Sequence, residues 1–318
     1  MKKFKNIAVY GGGSWGTALA CQVARCYEDV PILVRENNII EEILNNRTNS
    51  KYLGSDITLP TNIVPCNNLP YILDQEVIII AVPSFVFQET LKILKDAGIS
   101  DSVVLLVATK GFGRDPTELL SDKVKAILPA NPLAFIAGPN LAKEVAQDLL
   151  TSVTIASLDV NLARRLAISL ASQQFKVTIT DYVVVMQVAS AVKNIIAIKS
   201  GWYDAKGYGQ NAKAGLITQG LQEIRILSEA IDGELGDASI LYAPGILGDL
   251  VLTCYSKESR NTRFGYELGK HLDVKNFLNQ NLYLVEGLES ARLVLDLIRK
   301  YNLVLPVIES VIKELKIV

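Results

Sequence analysis

Short, nearly continuous apolar runs mark the first half of the chain. They are "NIAVY" (6–10), "VPILV" (30–34), "EVIIIAV" (76–82), "SVVLLVA" (102–108), "LAFIA" (133–137), "TSVTIA" (151–156) and "FKVTIT" (175–180). The early runs lack apolar–polar alternation, as strands covered on both faces do. Helical patterns lie between several of them. Strand–helix alternation of this kind predicts an α/β fold with a doubly wound, mainly parallel sheet. After Asp181 the pattern changes to long helical stretches, roughly 182–199, 212–231, 239–255, 260–270, 286–300 and 306–315. The chain therefore reads as two domains, 1–181 and an all-helical 182–318.

Composition narrows the function classes. With 318 residues there is material for a core in each domain. The chain is 49% apolar and 20% charged, with a net charge of −1, so no electrostatic footprint for nucleic acid is expected. The start, "MKKFKNIAVYGGG", places basic residues before apolar ones, but its apolar run ends at Tyr10, too short for a signal-peptide core. No uninterrupted apolar run reaches about 18 residues, so no membrane span is expected. Cys21, Cys26, Cys66 and Cys254 show no CxxC spacing, and His271 is the single histidine. No Cys/His metal site is expected, and reduced thiols in a cytoplasmic protein are the simplest reading.

The first motif with chemistry is "AVYGGGSWGTALA", where Gly11, Gly13 and Gly16 stand in G-x-G-x-x-G register. The spacing alone is weak, but here it follows a predicted strand and opens a helix. Gly11 permits a tight turn, Gly13 lets backbone approach a pyrophosphate, and Gly16 lets the helix pack against the strand. The helix N-terminus then offers N–H groups to the anion. A plain tight turn is the competing reading. The second strand ends in "LVRE", which offers Arg35 and Glu36 together. An acidic residue there would hold a ribose 2′-hydroxyl, and an arginine would accept a 2′-phosphate. The cofactor is NADP or NAD on this reading, unless the two residues form only an exposed ion pair.

Three later strands end in "AVPS" (81–84), "ATKG" (108–111) and "AGPN" (137–140). Ligands of open α/β sheets bind beyond the carboxyl ends of the strands, so Lys110 would project toward the cofactor. It would otherwise be a solvated loop lysine. Gly138-Pro139 punctuates the chain on any reading. Asn140 either caps the next helix, "LAKEVA", or touches a ligand.

The stretch "SAVKNIIAIKSG" (190–201) places Lys193 and Asn194 in an otherwise apolar helix. At about 100° per residue, Gln187, Ser190, Lys193 and Asn194 share an arc of about 120°. Such a stripe predicts a polar cavity, because scattered buried polar groups go unsatisfied. The alternative is a lysine that snorkels to the surface. Downstream, "LGDLVLTC" sets Asp249 and Thr253 at i, i+4 on one helix face. "SRNTRFG" gathers Ser259, Arg260, Asn261 and Arg263, either as a solvated loop or as phosphate ligands near a helix start. With His271 in a polar setting, Lys193 is the best candidate to move a proton.

These motifs, in this order, closely resemble the NAD(P)-dependent glycerol-3-phosphate dehydrogenase family. "GGGSWGTALA", "VPSFVF", "ATKG", "AGPNLAKEVA", "SAVKNIIAI", "LITQGLQE", "LGDLVLTC" and "SRNTRFG" carry the resemblance over about residues 5–290. It implies a Rossmann-type domain, a helical domain and catalysis in the cleft between them. The reaction implied is reversible reduction of dihydroxyacetone phosphate to sn-glycerol 3-phosphate for phospholipid synthesis, by a protein that works as a homodimer. The family's general acid/base lysine matches Lys193. Its substrate contacts match Lys110, Asp249, Ser259, Arg260 and Asn261, and Gly138, Asn140 and Thr253 complete that set. Its cofactor contacts match Ser14, Trp15, Arg35, Lys110, Ala142, Arg260 and Glu286, beside the glycines Gly11, Gly13 and Gly16.

The chain departs from the family pattern in places. Asn140 stands where Ser or Thr is usual, Ile246 replaces a glycine, and Lys213 and Gln219 replace arginines. The family's usual tail beyond "LPVIESVIKEL" is short here. Two rivals remain at this level. A 2-hydroxyacid or ketopantoate-type reductase would not obviously need the "SRN" cluster, and a non-catalytic nicotinamide sensor leaves the polar stripe unexplained.

Overall fold

In the computed structural model, residues 2–113, 118–271 and 285–317 are described. An eight-stranded sheet organises the first unit, which comprises Met1–Thr109 and Ser121–Val183. Its strands are β1 (Ile7–Tyr10), β2 (Val30–Leu33), β3 (Ile63–Cys66), β4 (Val77–Ile80), β5 (Val104–Val107), β6 (Leu133–Ala137), β7 (Thr151–Ala156) and β8 (Phe175–Thr180). They lie in the order β3-β2-β1-β4-β5-β6-β7-β8. Every pairing is parallel except β6 with β7. Val9 of β1 sits opposite Ile32 on one side and Ile79 on the other. All four residues of β4 are buried, as the unbroken apolar run requires of a strand covered on both faces.

The hydrophobic pattern misses β3, "IVPC". Pro65 removes a ladder donor, and a proline of this kind is confined to an edge. β3 is the edge strand, paired only with β2, and its residues alternate buried and half-buried. Helix α1 (Ser14–Ala24) follows β1, and α2 (Asn37–Asn46) and α3 (Ser50–Leu53) follow β2. Arg25, at the end of α1, donates to the carbonyls of Val145 (3.1 Å) and Ala146 (2.7 Å), tying α1 to the helix Ala142–Ala146.

The second unit comprises Lys110–Leu120 and Val184–Val318, and its described residues form helices. Most of the 23-residue helix Val183–Ala205 runs through it. That helix is long and apolar enough to cross a membrane by length and composition, yet 89% of its most apolar window is buried inside the protein. It is a core helix, which explains why its sequence is apolar on nearly all sides. The helix Arg260–Lys270 crosses it at backbone contact. A Cβ on Gly265 would lie 1.9 Å from the Ile198 carbonyl oxygen, and one on Gly201 would lie 1.9 Å from that of Thr262. No other residue fits either position without separating the helices.

The predicted helix over 239–255 is three pieces: a 3-10 turn (Ala238–Tyr242), a π turn (Pro244–Gly248) and an α-helix (Asp249–Tyr255). Pro244 has no N–H to donate, so a continuous α-helix cannot pass through it. Ile246, which replaces the family's glycine, is buried within the π turn. Glu223, in the helix Gly209–Asp232, is buried and accepts from the N–H groups of Val307 (2.7 Å) and Ile308 (3.0 Å), satisfying the first turn of the helix Pro306–Glu314.

Candidate active site

In the first unit, Gly11 ends β1 in a left-handed conformation (φ 124°). A Cβ on Gly16 would lie 1.9 Å from the Gly11 carbonyl oxygen, so the glycine there is what allows α1 to pack against the turn. Gly13 differs: a Cβ added there would have no protein atom within 4 Å, so the space at the helix start is open. The N-terminal N–H groups of α1 receive no side-chain cap. Trp15 Nε1 is buried and has no hydrogen-bond partner among the described residues, and the same holds for Asn140 Oδ1. Buried polar atoms are ordinarily satisfied. The open glycine turn and the orphaned Trp15 nitrogen fit a bound dinucleotide with polar edges.

At the end of β2 the two candidates separate. Arg35 is exposed and has no hydrogen bond or ion pair among the described residues. The Glu36 carboxylate instead accepts from Lys51 Nζ (2.5 Å) and Tyr52 Oη (3.0 Å). The alternative of an exposed Arg35–Glu36 ion pair does not form; Glu36 pairs instead with Lys51, a partner 15 residues on that no local pattern reveals. Ser14 Oγ donates to the Tyr52 carbonyl (2.8 Å).

Gly138, Asn140 and Ala142 follow β6. Asn140 does not cap the next helix: Leu141 is the N-cap residue there, with no side-chain cap bond. The Asn140 amide points the other way and donates to the Ser152 carbonyl at 3.4 Å. A Cβ on Gly138 would meet that same carbonyl at 2.4 Å.

In the second unit, the polar stripe is buried throughout: Gln187, Ser190, Lys193 and Asn194 are all inside. Lys193 does not snorkel. Its Nζ donates to Asp249 Oδ1 (2.5 Å) and Thr253 Oγ1 (3.2 Å). The Thr253 hydroxyl commits its own proton to the Asp249 carbonyl (2.6 Å), so it can only accept from the lysine. Lys110 Nζ reaches the other carboxylate oxygen, Asp249 Oδ2, at 3.3 Å. Asp249 is 3% exposed, Lys193 5% and Lys110 21%. Two ammonium groups therefore share one buried carboxylate.

That arrangement separates the two lysines electrostatically. Burial pushes the Lys193 ammonium down to about 8, and the neighbouring Lys110 charge adds to the effect, against the pull of Asp249. Burial also works against the Lys110 charge, but Asp249, with Lys193 and Glu286, outweighs it and holds its pKa above the ordinary lysine value. Lys110 is thus a fixed cation, whereas Lys193 can gain or lose a proton near neutral pH.

The "SRNTR" cluster opens a helix rather than lying in a solvated loop. Ser259 caps it by accepting from the Thr262 N–H (3.2 Å). Arg260, the first helical residue, is 69% exposed, and its guanidinium lies 3.8 Å from Glu286 Oε1. Asn261 is turned inward. Its amide donates to Asn194 Oδ1 (2.9 Å), and its oxygen accepts from the Gly287 N–H (3.0 Å). Asn194 in turn donates to Glu286 Oε2 (3.2 Å). The sequence motifs give Asn194 no role of its own, and its place beside Lys193 on the stripe is the only signal of this network. Lys213 is buried and paired with Asp204 (2.8 Å), and its ammonium lies 4.9 Å from the centre of the Tyr255 ring.

A glycine-turn dinucleotide fold and a helical unit with a buried lysine–carboxylate cluster define the class of two-domain, nucleotide-dependent dehydrogenases. The family model described as the NAD-dependent glycerol-3-phosphate dehydrogenase N-terminus matches residues 6–163, and its C-terminal counterpart matches residues 182–316. The chain belongs to the NAD-dependent glycerol-3-phosphate dehydrogenase family. It is 53% identical over 311 residues to the glycerol-3-phosphate dehydrogenase [NAD(P)+] of Rickettsia massiliae, covering 98% of this chain and 94% of that one. Identity to the protein of the same name from Rickettsia bellii is 52% over 310 residues, covering 98% of each. Among solved structures, glycerol-3-phosphate dehydrogenase from Coxiella burnetii superposes with a TM-score of 0.88 at 35% identity, covering 98% of this chain and 94% of that one.

Proposed function

We propose that the chain is an NAD(P)-dependent sn-glycerol-3-phosphate dehydrogenase that interconverts dihydroxyacetone phosphate and sn-glycerol 3-phosphate. Residues 1–181 form its dinucleotide-binding domain, apart from Lys110–Leu120, which belong to the second unit, and residues 182–318 form its substrate domain. The observation that carries this reading is the pair of ammonium groups on Asp249, one of them depressed to about 8 by burial.

A nicotinamide bound there would supply or accept the hydride. Gly11, Gly13 and Gly16, with Ser14, Trp15, Arg35 and Ala142, would hold the dinucleotide, and the family resemblance adds Lys110, Arg260 and Glu286 to the cofactor set. As reduction proceeds, negative charge develops on the substrate carbonyl oxygen. Lys193 stabilises that charge and gives up its proton; in the reverse direction it takes the alcohol proton. A positioned general acid of this kind contributes about 10²–10⁴-fold. Asp249 and Thr253 fix the Lys193 ammonium by accepting two of its three hydrogens. Lys110, kept charged by Asp249, adds a second cation for the substrate.

Arg260 and the opening turn of its helix hold the phosphate. Charge-assisted hydrogen bonds to such a group support about 1.5–3 kcal/mol. Asn261, engaged with Asn194 and Gly287, fixes the start of that helix and has one amide hydrogen left for the substrate. Gly138 and Asn140 belong to the same substrate set. The four cysteines are free, and burial pushes the thiols of Cys21 and Cys254 up to about 12, which fits reduced thiols in a cytoplasmic protein. The homodimer belongs to the same reading and is checked by light scattering.

The test is NAD(P)H oxidation with dihydroxyacetone phosphate against unphosphorylated dihydroxyacetone. Turnover of the phosphate ester at a kcat/KM at least about 100-fold higher supports the reading. Equal use of both ketones, or of neither, contradicts it.

A further inference from the structure

The end of β2 carries a polar cluster that the proton chemistry does not use. Glu36 is the N-cap residue of α2, yet its carboxylate bonds to none of that helix's N–H groups. Both its oxygens turn to α3: Oε2 accepts from Lys51 Nζ at 2.5 Å and Oε1 from Tyr52 Oη at 3.0 Å. The Lys51 ammonium also lies over the Tyr52 ring, 5.2 Å from its centre.

The segment that carries this clamp is anchored to the glycine turn. Asn49 is fully buried and donates to the Gly12 carbonyl (3.0 Å) and to Thr17 Oγ1 (2.9 Å). Ser14 Oγ donates to the Tyr52 carbonyl (2.8 Å). The position of Lys51 and Tyr52 is therefore set by the glycine turn that opens α1. Arg35, beside Glu36, stays exposed and makes no hydrogen bond or ion pair among the described residues, although its charge helps Lys51 and Tyr52 hold the Glu36 carboxylate below its usual pKa.

An acidic residue after the second strand ordinarily accepts from a ribose 2′-hydroxyl and repels a 2′-phosphate. Here that carboxylate is already paired. We propose that Lys51 is a cofactor-specificity residue: by holding Glu36 it withdraws that negative charge from the 2′ position and allows Arg35 to receive a 2′-phosphate. The inference rests on the dinucleotide reading of the first unit. It assigns to Lys51 and Glu36 a role separate from direct phosphate contact. An ion pair this exposed adds little to stability, so the variants that test it should fold.

The experiment measures dissociation constants of NADP+ and NAD+ by calorimetric titration of the full chain. The variants are Lys51→Met, Glu36→Gln and the double substitution, each with a thermal melt within about 2 °C of the parent. Lys51→Met should weaken NADP+ by about three- to tenfold while NAD+ binds as well as before or better. In the double variant, NADP+ affinity should return to within about twofold of Glu36→Gln alone, because no charge is left to release. An unchanged NADP+/NAD+ ratio in Lys51→Met overturns the inference. So does a double variant as weak as Lys51→Met, which would show Lys51 touching the phosphate itself. If the parent chain binds neither dinucleotide, the cofactor reading falls and the Lys51 role with it; binding with an unmoved ratio removes the Lys51 role alone.

Discussion

Lys193 and Asp249, 56 residues apart in the chain, meet at 2.5 Å in the interior of the helical unit. Lys110 approaches the same carboxylate from its other oxygen at 3.3 Å. An isolated buried ammonium would be expelled or neutralised. With one carboxylate for two ammonium groups, the more buried lysine loses its proton first. The geometry thereby assigns different roles to two residues of the same type.

Lys110→Met removes the like charge that depresses Lys193. The Lys193 pKa should rise, and the midpoint of the pH–rate profile should move up by about half to one pH unit. KM for the phosphorylated ketone should rise as well. A midpoint that stays or moves down would show that the two ammonium groups are not coupled through Asp249.

Arg260→Ala should lower kcat/KM for dihydroxyacetone phosphate by about 10- to 150-fold, equivalent to about 1.5–3 kcal/mol. Activity on unphosphorylated dihydroxyacetone should change far less. Equal losses on both substrates would assign Arg260 to something other than the phosphate.

Arg35→Ala should weaken NADPH more than NADH, since only NADPH offers a 2′-phosphate to its exposed guanidinium. KM for both cofactors in both proteins measures this. An unmoved NADPH/NADH ratio would show that Arg35 does not read the 2′ position.

Glu223 makes two buried backbone contacts at the start of the last helix. Glu223→Ala leaves both N–H groups without a partner and should destabilise the helical unit by about 1–3 kcal/mol. Glu223→Gln keeps one acceptor and should lose less. Urea denaturation followed by circular dichroism checks the order; an Ala variant as stable as the parent contradicts it.

Much of this is legible along the chain because the informative signals are local. The apolar runs locate every strand except β3, since each buried strand writes its own composition. The polar stripe on an apolar helix locates Lys193 by angle alone. Asp249 and Thr253 are legible as an i, i+4 pair. β3 is not, because Pro65 and half-burial at the sheet edge erase the run. The break at Pro244 does not show in the helical periodicity, although proline is itself the signal. What no local pattern contains is partnership across distance. The sequence offers Glu36 either a ribose or Arg35, and Lys51 holds it; it offers Asn140 either a helix cap or a ligand, and its amide donates to Ser152. Adjacency groups Asn261 with Arg260. Successive helical positions point about 100° apart, so one faces out and the other in.

The pH dependence of kcat/KM for dihydroxyacetone phosphate tests the central claim most directly. If Lys193 is the proton donor, reduction needs its ammonium form: kcat/KM should be flat at low pH and fall as pH rises through about 8. Oxidation of sn-glycerol 3-phosphate needs the neutral amine and should rise through the same midpoint. Lys193→Ala should fold, bind cofactor with nearly unchanged affinity, lose about 10²-fold or more in kcat and show no inflection near that pH. A folded Lys193→Ala variant with near-normal kcat, or one that keeps the parent's inflection, would contradict the account.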